Sequence, residues 1–386
     1  MAKIAIDIRN IGKGRTGDEV VFFNLVKQFA LLDVTNDYLL LTDRKVAGDS
    51  LLQASLDSLH LPSNFSVINL GESGVNKFLW NAWVLPQYLR KNPVDILQVQ
   101  YITPFFVPKK IKIVTIVHDV SFKVYPELIG KLDLFFLNTL MPLTLRRADK
   151  IIGVSRFTTQ EIIKYYHTDP RKLAWIHNAV GDNFQTPITH AQMEAVRKKY
   201  NLPQKFILYI GTLQPRKNLP ALIEAYIQIP IAKREGLKLV LAGGKGHNFD
   251  REIETDIKSY SLDGHVLLPG YIAEEDKPAL FALAHVFCFP SLYEGFGIPI
   301  LEAMTLGVPA LASHIPPHVE VAGEAITFFD TTSPADFASK LVAVVADESL
   351  RSRLKEAEKA QAGKFSWQEA AQKMLEIYGE MEDAAI

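Results

Sequence analysis

Short apolar segments recur along the chain and are separated by longer segments with helical periodicity. The candidate strands of the first half are KIAIDIR, YLLLTD, FSVINL, DILQVQ, KIVTIVHD, KIIGVS and LAWIHNAV, and those of the second half are KFILYIGT, LKLVLAGG, HVLLPG, VFCFPS, VPALAS and AITFFD. Most of them are apolar without alternation, which is typical of parallel strands buried on both faces. The pattern predicts a doubly wound α/β architecture.

Helical patterns such as DEVVFFNLVKQFALL and RFTTQEIIKYY lie between these strands, and a polar stretch interrupts the alternation near residues 183–204. We therefore expect two Rossmann-like domains that face a cleft, at residues 1–185 and 186–365. A last helix, residues 366–386 with Ser366 as its N-cap, is predicted to pack back on the first domain. Ligands of such sheets bind beyond the carboxyl ends of the strands.

The charge composition indicates which kinds of ligand or partner the protein can bind. The chain has 386 residues and a net charge of -1, which argues against a nucleic-acid-binding protein. Residues 1–190 carry 22 Lys+Arg and 17 Asp+Glu, a net charge of 22 − 17 = +5. That excess could attract an anionic acceptor or a lipid surface, or it could be ordinary surface asymmetry.

No feature of the sequence indicates export. The single cysteine, Cys288, lies in an apolar run and is expected in a core. The first residues form a strand-like run without a leader pattern, and no apolar run reaches the length of a membrane span. We expect a cytoplasmic protein that is either free or peripheral on the inner face of the membrane.

The most informative stretch is PSLYEGFGIPILEAMTLGVP, which joins a strand to a helix. Pro299 suits the first turn of that helix and Gly307 its end. Glu294 lies in the loop and Glu302 on the helix. Glycines let the backbone approach a ligand, and a helix start suits a phosphate. The alternative is a plain turn with a solvated carboxylate.

Two further strand ends carry polar groups. Gly211 ends a strand that leads into Arg216 and Lys217, which are adjacent cations suited to a diphosphate or, alternatively, a solvated pair. His118 ends another strand and could contact a substrate or be a satisfied buried histidine. The sequence contains no HExxH, no Walker P-loop and no D-x-D pair, so no metal site is predicted.

Taken together, these motifs resemble the retaining glycosyltransferases of the GT-B fold, in the group-1 family (family 4). EGFGIPILE is similar to the E-x7-E signature of that family, GTLQPRKN to its donor-diphosphate loop, HD to its active-site histidine, and GVSRFT and IHNAVGDNF to its following segments. IDIR resembles members that transfer mannose. The N-terminal loop departs from the family pattern, because Thr16-Gly17-Asp18-Glu19 mixes two of its forms.

The resemblance implies a role for each matching residue. Glu302 would hold the ribose of a nucleotide sugar, and Glu294 with the backbone of residues 295–298 would hold the sugar and the diphosphate. Arg216 and Lys217 would neutralise the leaving diphosphate without a metal. The donor-binding set also includes Gly17, Gly211, Tyr271, Ile272, Gly295, Phe296, Gly297 and Ile298.

His118, with Arg216, Lys217 and Glu294, completes the implied catalytic set. The implied reaction moves a hexose, with mannose from GDP-mannose favoured over a UDP-sugar, to a saccharide or lipid-linked acceptor, without a cofactor. Two alternatives remain. One is a GT-B sugar-nucleotide 2-epimerase, and the other is a non-catalytic sugar-nucleotide-binding subunit.

Overall fold

The strands and helices predicted from the apolar pattern are present in the computed structural model, which describes residues 1–14, 17–71, 76–246 and 248–383. Thr16 of the N-terminal loop lies outside these residues. The chain forms two units. The first contains Met1–Val120, Leu132–Asn178 and Ser366–Ile386, and the second contains Ser121–Lys131 and Ala179–Phe365. The sequence places the boundary between residues 185 and 186.

The first unit is built on seven parallel strands in the order β3-β2-β1-β4-β5-β6-β7. The strands are β1 Lys3–Asp7, β2 Asp37–Thr42, β3 Phe65–Asn69, β4 Ile96–Gln100, β5 Lys112–Val117, β6 Lys150–Gly153 and β7 Leu173–Trp175. The helices of this unit are α1 Asp18–Leu32, α2 Ser50–Asp57, α3 Lys77–Leu79, α4 Leu85–Lys91, α6 Lys131–Arg147, α7 Arg156–Tyr166 and α17 Trp367–Asp383, with a π-helical turn at Trp80–Val84.

Six parallel strands form the sheet of the second unit, in the order β10-β9-β8-β11-β12-β13. They are β8 Lys205–Ile210, β9 Leu237–Ala242, β10 Val266–Leu267, β11 Val286–Phe289, β12 Ala310–Ser313 and β13 Thr327–Phe329. The helices are α5 Ser121–Val124, α8 His190–Lys199, α9 Leu219–Ile227, α10 Ile231–Arg234, α11 Glu252–Ser259, α12 Lys277–Leu283, α13 Ile298–Thr305, α14 Pro316–Ala322, α15 Pro334–Ala346 and α16 Glu348–Ala362.

The central strands of both sheets are buried along almost their whole length, as the unbroken apolar runs predict. Cys288 on β11 is fully buried, which confirms its place in a core. Strand order reverses between β1 and β4 in the first sheet and between β8 and β11 in the second. Such reversals open a crevice at the carboxyl edge of a parallel sheet, where ligands bind.

Two predicted helix starts can be compared with the structure. Ser366 accepts a hydrogen bond from the Glu369 backbone N–H at 3.1 Å, so it caps α17 as expected. Asn218 precedes α9 as expected, but it adopts a left-handed conformation and its side chain makes no capping bond. The left-handed backbone, which Asn tolerates, turns the preceding loop instead. Within the described residues, no helix is both long enough and apolar enough to cross a bilayer.

Candidate functional site

The loops that follow β8 and β11 meet at the strand-order reversal of the second unit. The Leu292 backbone N–H donates to the Arg216 carbonyl at 2.9 Å, which ties the two loops together. Arg216 and Lys217 lie in a short 3₁₀ turn, Pro215–Lys217, just before α9. The sheet topology therefore brings together residues that are far apart in sequence.

Glu294 forms an ion-pair cluster with both cations. Arg216 Nη1 lies 3.2 Å from Glu294 Oε2, and Lys217 Nζ contacts Glu294 Oε1. Burial alone would raise the pKa of Glu294, but Lys217 and Arg216 outweigh it and lower the pKa to about 2. The carboxylate is therefore ionised at neutral pH, and the cluster carries a net positive charge.

Lys217 is an unusual buried cation, with 7% of its surface exposed. Its ammonium lies 5.3 Å from the centroid of the Phe289 ring. A buried ammonium is costly unless it is paired, and here the partner is a carboxylate that a ligand could replace. An incoming diphosphate would offer the two cations more negative charge than Glu294 supplies.

The glycine turn after Glu294 leads into α13. Gly297 has a φ of +115°, and a Cβ at this position would lie 3.3 Å from Cδ2 of His318. Glycine is therefore required both by backbone conformation and by space. Helix α13 begins at Ile298 with Pro299 in its first turn, as predicted. The Ile300 and Leu301 N–H groups donate to the Gly297 carbonyl at 3.0 and 3.4 Å, and Pro299 has no N–H, so the Ile298 N–H is the helix-start donor that can face an anion.

Glu302 is buried on α13. Burial raises its pKa to about 7, with Lys277 opposing the shift and Glu274 adding to it. Lys277 Nζ itself pairs with Glu274 at 2.6 Å. Near neutral pH, Glu302 is thus poised between an acceptor-only carboxylate and a protonated acid that can donate a hydrogen bond.

The other predicted donor-binding residues of the second unit occupy different environments. Gly211 follows β8 with a φ of +151°, and its N–H donates to the Ala242 carbonyl at 3.0 Å. Tyr271 is half exposed, whereas Ile272 and Phe296 are buried. Phe296 packs edge-on against Phe365 at 5.9 Å between ring centroids.

His318 on α14 is a site residue that the sequence did not single out. It is fully buried, and its Nδ1 lies 3.0 Å from the Ser313 carbonyl. A carbonyl only accepts, so Nδ1 carries the proton, and Nε2 is a buried acceptor that no described residue hydrogen-bonds. The His318 ring packs against Gly297 and so supports the glycine turn. No local motif marks it, since the contact depends on how α14 packs.

His118 and Gly17 belong to the first unit. His118 follows β5, and its Nε2 lies 2.9 Å from Gln100 Nε2. Burial lowers the pKa of His118, whereas Asp18 and Asp119 raise it. Gly17 precedes α1 with a φ of +86°, and open space surrounds the position of its missing side chain. The described residues contain no group of three or more His, Cys, Asp or Glu that could hold a metal ion.

Comparisons with known proteins identify the family. The profile named "Glycosyl transferases group 1" matches residues 192–361, and "Glycosyltransferase Family 4" matches residues 16–184. O-antigen chain mannosyltransferase B of Escherichia coli is 32% identical over 276 residues, which are 71% of this chain and 72% of that protein. The chain therefore belongs to the group-1 glycosyltransferases, and it is a glycosyltransferase.

A further relative supports the same class, and two solved structures share the fold. The serotype-specific mannosyltransferase WbdA of Escherichia coli is 34% identical over 244 residues, which span 63% of this chain but only 30% of that protein. The structure of HepE from Anabaena in complex with UDP and glucose matches with a TM-score of 0.73 at 18% identity, over 98% of this chain and all of that one. Sucrose-phosphate synthase of Thermosynechococcus elongatus matches with a TM-score of 0.77 at 18% identity, over the full length of both chains. The predicted GT-B fold class is confirmed.

Proposed function

We propose that the protein is a retaining, metal-independent mannosyltransferase of glycan biosynthesis. Its donor would be a nucleotide sugar, with GDP-mannose favoured over a UDP-sugar, and its acceptor a saccharide or a lipid-linked saccharide. The similarity to O-antigen mannosyltransferases supports the sugar and the pathway class. The resemblance to a retaining family supports the stereochemistry.

One observation carries the proposal for the donor site, namely the buried cluster of Glu294 with Arg216 and Lys217. A diphosphate leaving group gains negative charge in the transition state, and two preorganised cations stabilise that charge directly. When the diphosphate takes over the cations, Glu294 becomes an acceptor for sugar hydroxyls. Glu302 would accept from the ribose hydroxyls.

The remaining proposed roles follow the same chemistry. The backbone of residues 295–298 would bind the diphosphate at the start of α13. Tyr271 and Ile272 would lie along the nucleoside, and Gly211 would let the backbone approach the donor. In the first unit, His118 would hydrogen-bond the substrate near the reacting carbon, and the loop at Gly17 would contribute to substrate binding.

Exposed apolar side chains of the first unit favour a lipid-linked acceptor. Trp83 and Phe106 are 64% and 72% exposed, and Leu132 and Phe135 near the start of α6 are 69% and 65% exposed. The Phe105 ring lies 5.9 Å from the ring of Phe78 and 6.5 Å from that of Phe106, so aromatic side chains cluster there, as is typical of an interaction surface. The guanidinium of Arg90 donates to the Phe106 carbonyl at 3.4 Å and adds a positive charge beside it, which would attract anionic lipid.

The first experiment is a donor screen by thermal shift with GDP-, UDP- and ADP-sugars. A ligand at 100 times its dissociation constant stabilises the protein by about 2.7 kcal/mol. We expect GDP-mannose to give the largest shift. Transfer to a lipid-linked oligosaccharide acceptor should then yield an α-linked product, as determined by NMR. The transfer rate should not change in EDTA. It should fall when Trp83 and Phe106 are replaced by serine.

Each alternative has its own outcome in this experiment. Conversion of the nucleotide sugar to its 2-epimer in the absence of acceptor would identify an epimerase. Donor binding without any product would identify a sensor subunit. Inverted product, or activity that disappears in EDTA and returns with a divalent ion, would refute the retaining or the metal-independent part of the proposal.

A further inference from the structure

A hydrogen-bonded chain of side chains ends on His118. Asn10 Nδ2 donates to the Asp18 carbonyl at 2.9 Å and to Gln100 Oε1 at 3.0 Å. Gln100 Nε2 lies 2.9 Å from His118 Nε2. Asn10 follows β1, Gln100 ends β4 and His118 follows β5, so the chain crosses the strand-order reversal of the first unit.

The donor and acceptor of each hydrogen bond follow from the first bond, between Asn10 and the Asp18 carbonyl. The Asp18 carbonyl can only accept, so the amide nitrogen of Asn10 must face it. The second N–H of that nitrogen faces Gln100, so the oxygen of Gln100 must point toward Asn10. The nitrogen of Gln100 then points toward His118 and donates. His118 Nε2 is therefore an unprotonated acceptor, and the single proton of the neutral ring resides on Nδ1.

We infer that Asn10 and Gln100 are positioning residues that hold His118 neutral, with its proton on Nδ1, so that it meets the substrate only as a hydrogen-bond donor. The inference rests on the proposed function, because it assigns His118 a substrate contact. No other hydrogen bond of the His118 side chain exists among the described residues, which leaves Nδ1–H available for a hydroxyl or a glycosidic oxygen of the substrate.

The surroundings favour the same protonation state. The charged groups that face the ring are Asp18 at the start of α1 and Asp119 after β5, and both favour the imidazolium, but burial outweighs them. The ring of Tyr101 packs on His118 at 5.6 Å between centroids. A donor amide at Nε2 adds a further penalty to the imidazolium, because two N–H groups would then face each other.

The direct test needs no substrate. Selective ¹⁵N-histidine labelling of the whole protein reports which ring nitrogen is protonated, with His118→Gln to assign the signal. We expect a neutral ring with its proton on Nδ1 and no titration of His118 near pH 6.5. A proton on Nε2, or a His118 pKa at or above its ordinary value, would overturn the inference whether or not the protein transfers mannose.

The second test replaces Gln100 with glutamate. A carboxylate only accepts, so Gln100→Glu should move the proton to Nε2 and raise the pKa of His118. In this variant the imidazolium carries a proton on both nitrogens and still offers Nδ1–H to the substrate. The neutral ring carries its proton on Nε2 and cannot donate from Nδ1. Turnover of this variant should therefore fall about tenfold as pH rises through the new pKa, which corresponds to about 1.4 kcal/mol of activation free energy. The turnover of the wild-type protein should not fall over that pH range.

Two comparison variants make this result specific. Gln87→Glu adds the same charge at an exposed position of α4 and should change neither the His118 pKa nor the pH profile. Gln100→Leu removes the donor without adding an acceptor, so turnover should fall without a new pH-dependent limb. Equal losses with the same pH profile in Gln100→Glu and Gln100→Leu, both folded by thermal melting, would mean that Gln100 is only structural and would refute the inference.

Discussion

Lys217 is the residue on which turnover is expected to depend most. Removing one preorganised group that stabilises transition-state charge costs about 10²-fold or more in kcat. Lys217→Ala should therefore lower kcat by about that factor and raise the donor KM much less, because the diphosphate charge is largest in the transition state. Steady-state kinetics with varied donor measure both constants.

A matched control separates this effect from general charge loss. Lys233→Ala removes an exposed lysine of α10 in the same unit and should leave kcat and KM unchanged. A large rise in donor KM with unchanged kcat would contradict the prediction. It would mean that Lys217 binds the ground state and the transition state equally well.

Glu302 should make donor binding depend on pH. Its folded pKa of about 7 lies above the ordinary value of 4.5, so the protonated form accumulates as pH falls below about 7. The protonated acid accepts hydrogen bonds from two hydroxyls less well than the carboxylate does. Affinity for a nucleotide sugar should therefore weaken between pH 7.5 and 6, as measured by calorimetry.

The choice of ligand and the control variant make the pH test specific. A nucleotide sugar has no diphosphate proton that titrates in this range, unlike a free nucleoside diphosphate. Glu302→Gln should bind more weakly, by about 1–3 kcal/mol, and without the pH dependence. Unchanged affinity in this variant would assign Glu302 a structural role.

At the scale of elements, the turn before α13 should not tolerate a side chain. Gly297→Ala places a Cβ 3.3 Å from His318 at a φ of +115°. We expect the free energy of unfolding to fall by about 1–3 kcal/mol, with loss of nucleotide-sugar affinity. Denaturant unfolding and calorimetry check the two effects.

Gly363 offers the control for this substitution. It has a φ of −61°, and a Cβ there would meet other atoms only at ordinary contact distances. Gly363→Ala should be neutral or slightly stabilising. Equal behaviour of the two alanine variants would show that the turn at Gly297 is not constrained as described.

Elements were more predictable from the sequence than the contacts between them. Helices α1 and α7 have the bounds that their patterns indicate, whereas β10 covers only two residues of its apolar segment. Periodicity reports burial along one element and carries no information on its neighbours. His318, Gln100 and Asn10 were therefore missed, because their importance arises from packing between distant segments.

Candidate residues at strand ends were predictable for a physical reason. Glu294, Arg216 and His118 each follow a parallel strand, and the carboxyl ends of such strands share one edge of a sheet. The pairing of Glu294 with both cations required the strand order, which no local pattern contains. Likewise, no periodicity indicates that Ser121–Lys131 belongs with the second unit.

At the scale of the whole molecule, the last helix should matter most to the first unit. Tyr378 on α17 donates its hydroxyl proton to Gln98 on β4, and Trp367 and Met374 are buried. Removing residues 366–386 should expose the apolar surface of the first unit that these side chains cover, and should destabilise that unit. Hydrogen exchange should increase in β1 and β4, while nucleotide affinity of the second unit persists.

The second unit serves as an internal control for this deletion. Strands β8 and β11 belong to the other unit, and their exchange rates should remain close to those of the intact protein. A uniform increase over both sheets would contradict the prediction. It would mean that the two units unfold as one cooperative system.

The order of the segments also has a consequence for synthesis on the ribosome. Domains tend to fold in the order in which they emerge. Here the unit that begins at Met1 needs Ser366–Ile386 for completion, whereas Ala179–Phe365 can join Ser121–Lys131 earlier. The nascent chain would thus complete its second unit first. The first unit would stay incomplete, with the surface of α1 and β4 that α17 covers exposed, until residues 366–386 have been synthesised. A chaperone that binds apolar segments should therefore remain associated with the nascent chain until residues 366–386 have emerged.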